Sequence, residues 1–91
     1  MIEVFTTPYC PKCERVKALL RSDGIEYVEY NATTPSVVAD LLAMQIFDRA
    51  MPVIVYSRDP VRYVSARDLP ETDRELLAIL RYASSAEQVV A

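Results

Sequence analysis

Apolar side chains recur along this chain with two different periods, and the changes of period mark its elements. Residues 2–6, Ile2-Glu3-Val4-Phe5-Thr6, alternate weakly and are rich in β-branched and aromatic types, which predicts a first strand. Pro8 interrupts it. From Pro11 the apolar positions Val16, Leu19 and Leu20, with the small residues Cys13 and Ala18, recur at spacings of three and four, predicting a helix over 11–22. Pro11 suits the first turn of that helix, where its missing N–H has no intrahelical partner. Gly24, the only glycine, follows Ser22-Asp23 at the position where a left-handed residue ends a helix. Residues 25–30 predict a second strand. Thr34 then reads as the N-cap and Pro35 as the first residue of a second helix, striped by Val38, Leu41, Leu42 and Gln45, with Ile46 and Phe47 near its end.

Pro52 opens Val53-Ile54-Val55-Tyr56, an apolar run that predicts a central strand buried on both faces. Ser57-Arg58-Asp59-Pro60 predicts a turn, and residues 61–65 a returning antiparallel strand, because so short a connection cannot make a parallel crossover. Asp68 with Glu71 matches a capping box ahead of a third helix striped by Leu69, Leu76, Leu77, Leu80 and Ala83. Residues 84–91 are expected to fray. The order is β-α-β-α-β-β-α, with a right-handed crossover between the first two strands and a closing antiparallel hairpin. The expected product is an α/β fold, a four-stranded mixed sheet flanked by three helices, forming one domain over residues 1–91.

Composition narrows the chemistry. The 91 residues are 52% hydrophobic and 25% charged, as expected of a small soluble domain with one core. There is no histidine, which excludes Ser-His-Asp and Cys-His catalysis, paired-His zinc proteases and haem attachment through Cys-x-x-Cys-His. A net charge of −3 argues against nucleic acid, and no apolar run reaches a membrane span. Met1-Ile2-Glu3-Val4 lacks the basic start of a secretory signal, so a cytoplasmic protein with reduced thiols is expected.

The two cysteines carry the remaining possibilities. Cys10-Pro11-Lys12-Cys13 lies where the first strand meets the first helix. Residues three apart in a helical turn have Cα atoms about 5 to 6 Å apart, within the span of a disulfide, so the pair can open and close in place. Cys10 falls near the N-cap, where unpaired N–H groups and the helix dipole favour a thiolate below the free pKa of about 8.5. Lys12 is the nearest cation, and Arg15, Lys17 and Arg21 share the helix with one acid, Glu14. Cys13 is expected to be shielded by apolar neighbours. Two bland readings stand beside this one: cysteines that merely pack as small core residues, and a zinc or Fe–S module. The latter lacks four ligands in one chain and would need thiolates shared across a dimer. Pro52 is either an ordinary proline at the start of a strand or a cis proline turning the Met51 backbone toward a substrate.

Val4-Phe5-Thr6-Thr7-Pro8-Tyr9-Cys10-Pro11-Lys12-Cys13, Ala50-Met51-Pro52-Val53 and the closing hairpin and helix together resemble the glutaredoxin family of the thioredoxin-fold superfamily, over residues 2 to about 82. The resemblance implies a dithiol protein-disulfide oxidoreductase with a redox-active Cys10–Cys13 disulfide and no tightly bound cofactor or metal. By the same resemblance Cys10 is the attacking thiolate, Cys13 the resolving thiol and Pro52 the cis-proline. Lys12 tunes the thiol, and Tyr9, Pro11, Met51, Pro52 and Arg67 contact substrate. A monomer serving cell redox homeostasis and electron transport is implied, with a disulfide-containing protein as substrate, ribonucleotide reductase being one such target.

Departures from the family bear on the electron donor. A lysine common three residues before the first cysteine is Thr7 here, and a Gly-Gly pair after the fourth strand reads Val64-Ser65. Ala66 and Arg67 occupy the positions that hold the γ-glutamyl end of glutathione, and Arg67 would repel an ammonium group. Only Gln45 or Arg49 remains for the glycyl carboxylate. Glutathione is therefore a poor fit as reductant, and thioredoxin reductase is the other donor the resemblance offers, as for the glutaredoxin-like redoxins that reduce ribonucleotide reductase. The Trp-Ser-Gly-Phe segment usual in those redoxins is missing.

Overall fold

Alternation of side chains along two short strands decides how the layers form. The computed structural model describes residues 1–88. Strand β1 (Ile2–Thr6) and strand β3 (Val53–Arg58) lie at the centre of a four-stranded sheet ordered β2-β1-β3-β4, with β2 at Tyr27–Asn31 and β4 at Val61–Val64. β1 runs parallel to β2 and antiparallel to β3, with Val4 opposite Ile54. Successive side chains point to opposite faces. Ile2, Val4 and Ile54 therefore meet Val16 and Leu20 of helix α1 (Pro11–Ser22) and Leu76, Leu80 and Ala83 of helix α3 (Asp73–Gln88) on one face. Phe5, Val53 and Val55 meet Leu41 of helix α2 (Pro35–Ala43), together with Ile46, on the other. Both faces of the central strands are thus covered, as the continuous apolar run at residues 53–56 requires.

The connections follow from local backbone chemistry. At the end of α1 Gly24 has φ +67°, its N–H bonds the Arg21 carbonyl at 3.1 Å, and the Ile25 N–H bonds the Leu20 carbonyl at 2.9 Å, a Schellman stop. Ile25 is consumed in this cap, so β2 begins at Tyr27 rather than at residue 25. Thr34 is the N-cap of α2 with extended backbone, but its side chain makes no capping bond.

Helix α2 ends at Ala43, earlier than the apolar stripe predicts. Gln45 is not on the helix; it sits at φ +61°, where its N–H bonds Leu42 and the Ile46 N–H bonds Leu41. Ile46 thereby folds back onto the face occupied by Leu41. Val38 and Leu42 are exposed instead of buried, because the turn that buries Leu41 points them outward.

The predicted four-residue turn is only Asp59-Pro60, with Ser57 and Arg58 still in β3 and a bulge between Val55 and Ser57. Both the Met51–Pro52 and the Asp59–Pro60 peptides are cis. The Arg58 guanidinium bonds Glu3 and Asp40, tying β3, β1 and α2 together at this end.

The third helix also starts later than expected. Asp68 lies in a 3₁₀ turn, Ala66–Asp68, and accepts a hydrogen bond from the Ser65 hydroxyl at 2.8 Å. Leu69 precedes Pro70 and is extended, with ψ 124°, because proline disfavours helical backbone in the residue before it. The cap is Thr72, whose carbonyl accepts from Leu76 at 3.0 Å and whose hydroxyl accepts from the Glu75 N–H at 3.2 Å. Leu69 still packs against the core, but from outside the helix. Of the residues expected to fray, 84–88 continue α3, and 89–91 lie outside the described residues.

Candidate functional site

The segment between β1 and α1 must reverse direction within four residues. Tyr9 accomplishes this at φ 57°, a conformation that costs a non-glycine residue roughly 1 to 2 kcal/mol. Its side chain is fully exposed. The reversal delivers Cys10 to the N-cap of α1 with φ −112° and ψ 99°, and its carbonyl accepts the Glu14 N–H at 3.1 Å. Pro11 takes the first helical position, exposed to solvent.

Cys10 and Cys13 are joined as a disulfide with Cα atoms 5.2 Å apart, inside the ordinary range. The Cys13 N–H donates to Cys10 Sγ at 3.1 Å, so the outer sulfur fills the capping role that an oxygen usually fills. Cys10 is half-buried and Cys13 fully buried. One sulfur can meet a partner while the other is sheltered. From the other side of the site, the Met51 carbonyl oxygen lies 3.6 Å from Cys10 Sγ. Pro52, the residue that follows Met51, is fully buried.

Charge around the dithiol is more local than the sequence of α1 suggests. Arg15 bonds the Asp73 carboxylate at 2.7 Å and the carbonyls of Pro70 and Glu71, pinning α1 to the segment before α3. Lys17 is buried, with Nζ 2.7 Å from Glu14 and 3.0 Å from Glu29. The Glu14 carboxylate, and next to it Glu29, raises the Lys17 pKa above its ordinary value. The Thr6 hydroxyl, followed by Lys17, holds Glu29 below the usual carboxylate range. These cations are therefore compensated where they stand. Lys12, between the two cysteines in sequence, is exposed and makes no ion pair among the described residues.

Two open clefts flank the site. One, of about 440 Å³, is lined by Thr7, Val38, Leu42, Phe47 and Met51 among others. The other, of about 510 Å³, is lined by Gln45, Arg49, Ala50, Tyr63, Ala66 and Arg67 among others. Phe47, Asp48 and Arg49 belong to both. Arg67 is exposed, with its guanidinium 3.7 Å from Asp48. The sequence reading put Val38, Leu42 and Phe47 on a core stripe and so missed them as wall residues. Where the family has its glycine pair, Val64 ends β4 half-buried and Ser65 is buried with its hydroxyl committed to Asp68. Among the described residues no group of three or more His, Cys, Asp or Glu side chains is assembled to hold a metal ion, and no helix is long and apolar enough to cross a membrane.

The sequence matches the family model for glutaredoxins over residues 2–61, which includes the dithiol, Met51-Pro52 and β3. No curated protein matches the chain. Among solved structures, the crystal structure of a point mutant of the thioredoxin-like protein BC3987 superimposes with a TM-score of 0.62 at 24% identity, covering 88% of this chain and 99% of that one. The fold is thioredoxin-like.

Proposed function

Because this chain belongs to the glutaredoxin family, we propose that it is a thiol–disulfide oxidoreductase reducing disulfides in other proteins by a dithiol mechanism. The observation that carries this reading is the asymmetry of the pair. Cys10 is only partly buried and its Sγ accepts the Cys13 N–H, whereas Cys13 is fully buried. In the reduced protein that N–H and the helix dipole stabilise a Cys10 thiolate. The thiolate attacks one sulfur of the substrate disulfide, forming a mixed disulfide and expelling the other sulfur as a thiolate that takes up a proton. Cys13 then loses its proton and attacks Cys10 Sγ. The Cys10–Cys13 bond forms, the substrate leaves as a dithiol, and two electrons have moved from the protein to the substrate. An external thiol or NADPH-linked flavoprotein donor, glutathione or thioredoxin reductase, returns two electrons to the disulfide.

A trapping experiment tests the assignment. Cys13→Ser retains attack and loses resolution, so it is expected to accumulate a reducible adduct with a disulfide protein, whereas Cys10→Ser forms none. Adducts through Cys13 in Cys10→Ser, with none in Cys13→Ser, would reverse the roles. Equal loss of a bound metal in both variants would instead support thiolates shared in a metal module.

A further inference from the structure

The dithiol is bordered by a groove whose chemistry the exchange step itself does not require. Val38 and Leu42 on the outer side of α2 are 40% and 51% exposed, and Phe47 is 70% exposed. They converge with Met51 on one cleft, and Met51 is the residue whose carbonyl lies against Cys10 Sγ. One residue of the apolar wall, Met51, thus also borders the Cys10 sulfur. Phe47 is shared with the second cleft, which carries Arg49 and Arg67.

The charged residues lining the two clefts are Arg49, Arg67 and Asp48. Arg49 is exposed and makes no ion pair among the described residues. Arg67 stands 3.7 Å from Asp48, beyond direct hydrogen-bond distance, with its side chain 78% exposed. Arg49 is thus unpaired among the described residues and Arg67 only loosely paired with Asp48, so the lining carries a net positive charge beside an apolar wall, in a chain whose net charge is −3. Guanidinium forks match carboxylates, and Lys12 adds a third cation on the dithiol loop.

We infer that this groove selects its substrate: an extended protein segment in which the disulfide-bonded cysteine is accompanied by a large apolar residue and an acidic residue. The inference rests on the oxidoreductase reading and supplies the substrate class for that site. The apolar side chain lies against Val38, Leu42 and Phe47, and the carboxylate pairs with Arg49 and Arg67. Oxidised glutathione offers carboxylates but no large apolar side chain, so it satisfies half of the groove.

The test uses the pre-reduced full chain in single turnover, followed by quenching and chromatography. Substrates are short peptides containing Phe and one cysteine capped as a neutral hydroxyethyl disulfide, flanked by two Asp or by two Lys. A further Asp peptide has Ser in place of Phe. Each turnover releases mercaptoethanol and the peptide thiol and leaves the protein as its Cys10–Cys13 disulfide. The Asp peptide is expected to react roughly tenfold faster than the Lys peptide at low ionic strength, two screened ion pairs contributing a few-fold each, with the ratio shrinking as salt rises. Arg49→Gln with Arg67→Gln should remove most of that preference, leaving only the share of Lys12, and Arg49→Glu with Arg67→Glu should invert it, in variants whose melting profiles confirm folding. Phe47→Ser should slow the Phe peptides several-fold and spare the Ser peptide. Equal rates for the Asp and Lys peptides overturn the inference, as does faster reduction of oxidised glutathione than of the Asp peptide. A wild-type protein that reduces none of these substrates, nor bis(hydroxyethyl) disulfide, overturns the oxidoreductase reading along with it.

Discussion

The backbone N–H of Cys13 points at Cys10 Sγ from 3.1 Å, so in the proposed mechanism the residue that resolves the exchange would also stabilise the sulfur that begins it. Because that N–H belongs to the first turn of α1, its favour for negative charge is added to the helix dipole. The reduced Cys10 thiol is expected to titrate below the ~8.5 of a free cysteine. Alkylation rate against pH measures this, and Lys12→Glu should move the titration upward. A Cys10 that titrates as a free thiol would show that the N-cap position does not activate it.

Thr72 and Asp68 both begin a four-residue pattern ending in glutamate, and only Thr72 caps a helix. Thr72→Ala is expected to cost about 1 kcal/mol in urea unfolding. Asp68→Ala should cost its Ser65 hydrogen bond without shortening α3. If the two alanine variants lost helix content equally, the assigned start of α3 would be wrong.

That pair shows where the sequence was legible and where it was not. Strand β1, helix α1 and the stop at Gly24 could be read directly, because local chemistry and hydrophobic period agree there. So could the dithiol, since a spacing of three residues at a helix start fixes its geometry without help from distant parts of the chain. The start of α3 was misread because Asp68-x-x-Glu71 imitates a capping box, while the decisive residue, Pro70, acts on the backbone of Leu69. The end of α2 was misread because its left-handed residue is Gln45 rather than glycine. That error hid the groove: with the helix extended past residue 45, Val38, Leu42 and Phe47 look like core, and only the early stop leaves them beside Met51.

Gly24 and Gln45 occupy the same capping position in two helices, and their substitutions should shift stability in opposite directions. A Cβ at Gly24 meets no atom within 4 Å, so Gly24→Ala should cost only the left-handed backbone, about 1 kcal/mol. Gln45→Gly should relieve a similar penalty and stabilise by about 0.5 kcal/mol after the added freedom of the unfolded chain is offset. Thermal melts of both variants check this, and destabilisation by Gln45→Gly would mean that its side chain holds the turn.

Acid should weaken the fold through the carboxylates held by partners, Glu29 among them. Thr6 and then Lys17 depress its pKa, and Arg58 and Arg81 do the same for Asp40 and Asp23. A carboxylate with a depressed folded-state pKa binds fewer protons when folded than when unfolded. Its contribution is therefore fully present above the unfolded value, about 4.3 for glutamate, and is lost as pH falls through the lower folded value. Lys17 has the opposite sign: its raised pKa makes its contribution full below about 10.4 and lost only as pH rises beyond that. The Lys17–Glu29 pair is thus intact across neutral pH and fails first on the acid side. Melting temperature measured from neutral pH down to about pH 3 should decline below the unfolded carboxylate values, and Glu29→Gln should flatten that decline while lowering the neutral plateau. An acid limb unchanged in Glu29→Gln would assign the loss to Asp23 and Asp40, whose arginine partners lie at other edges of the molecule.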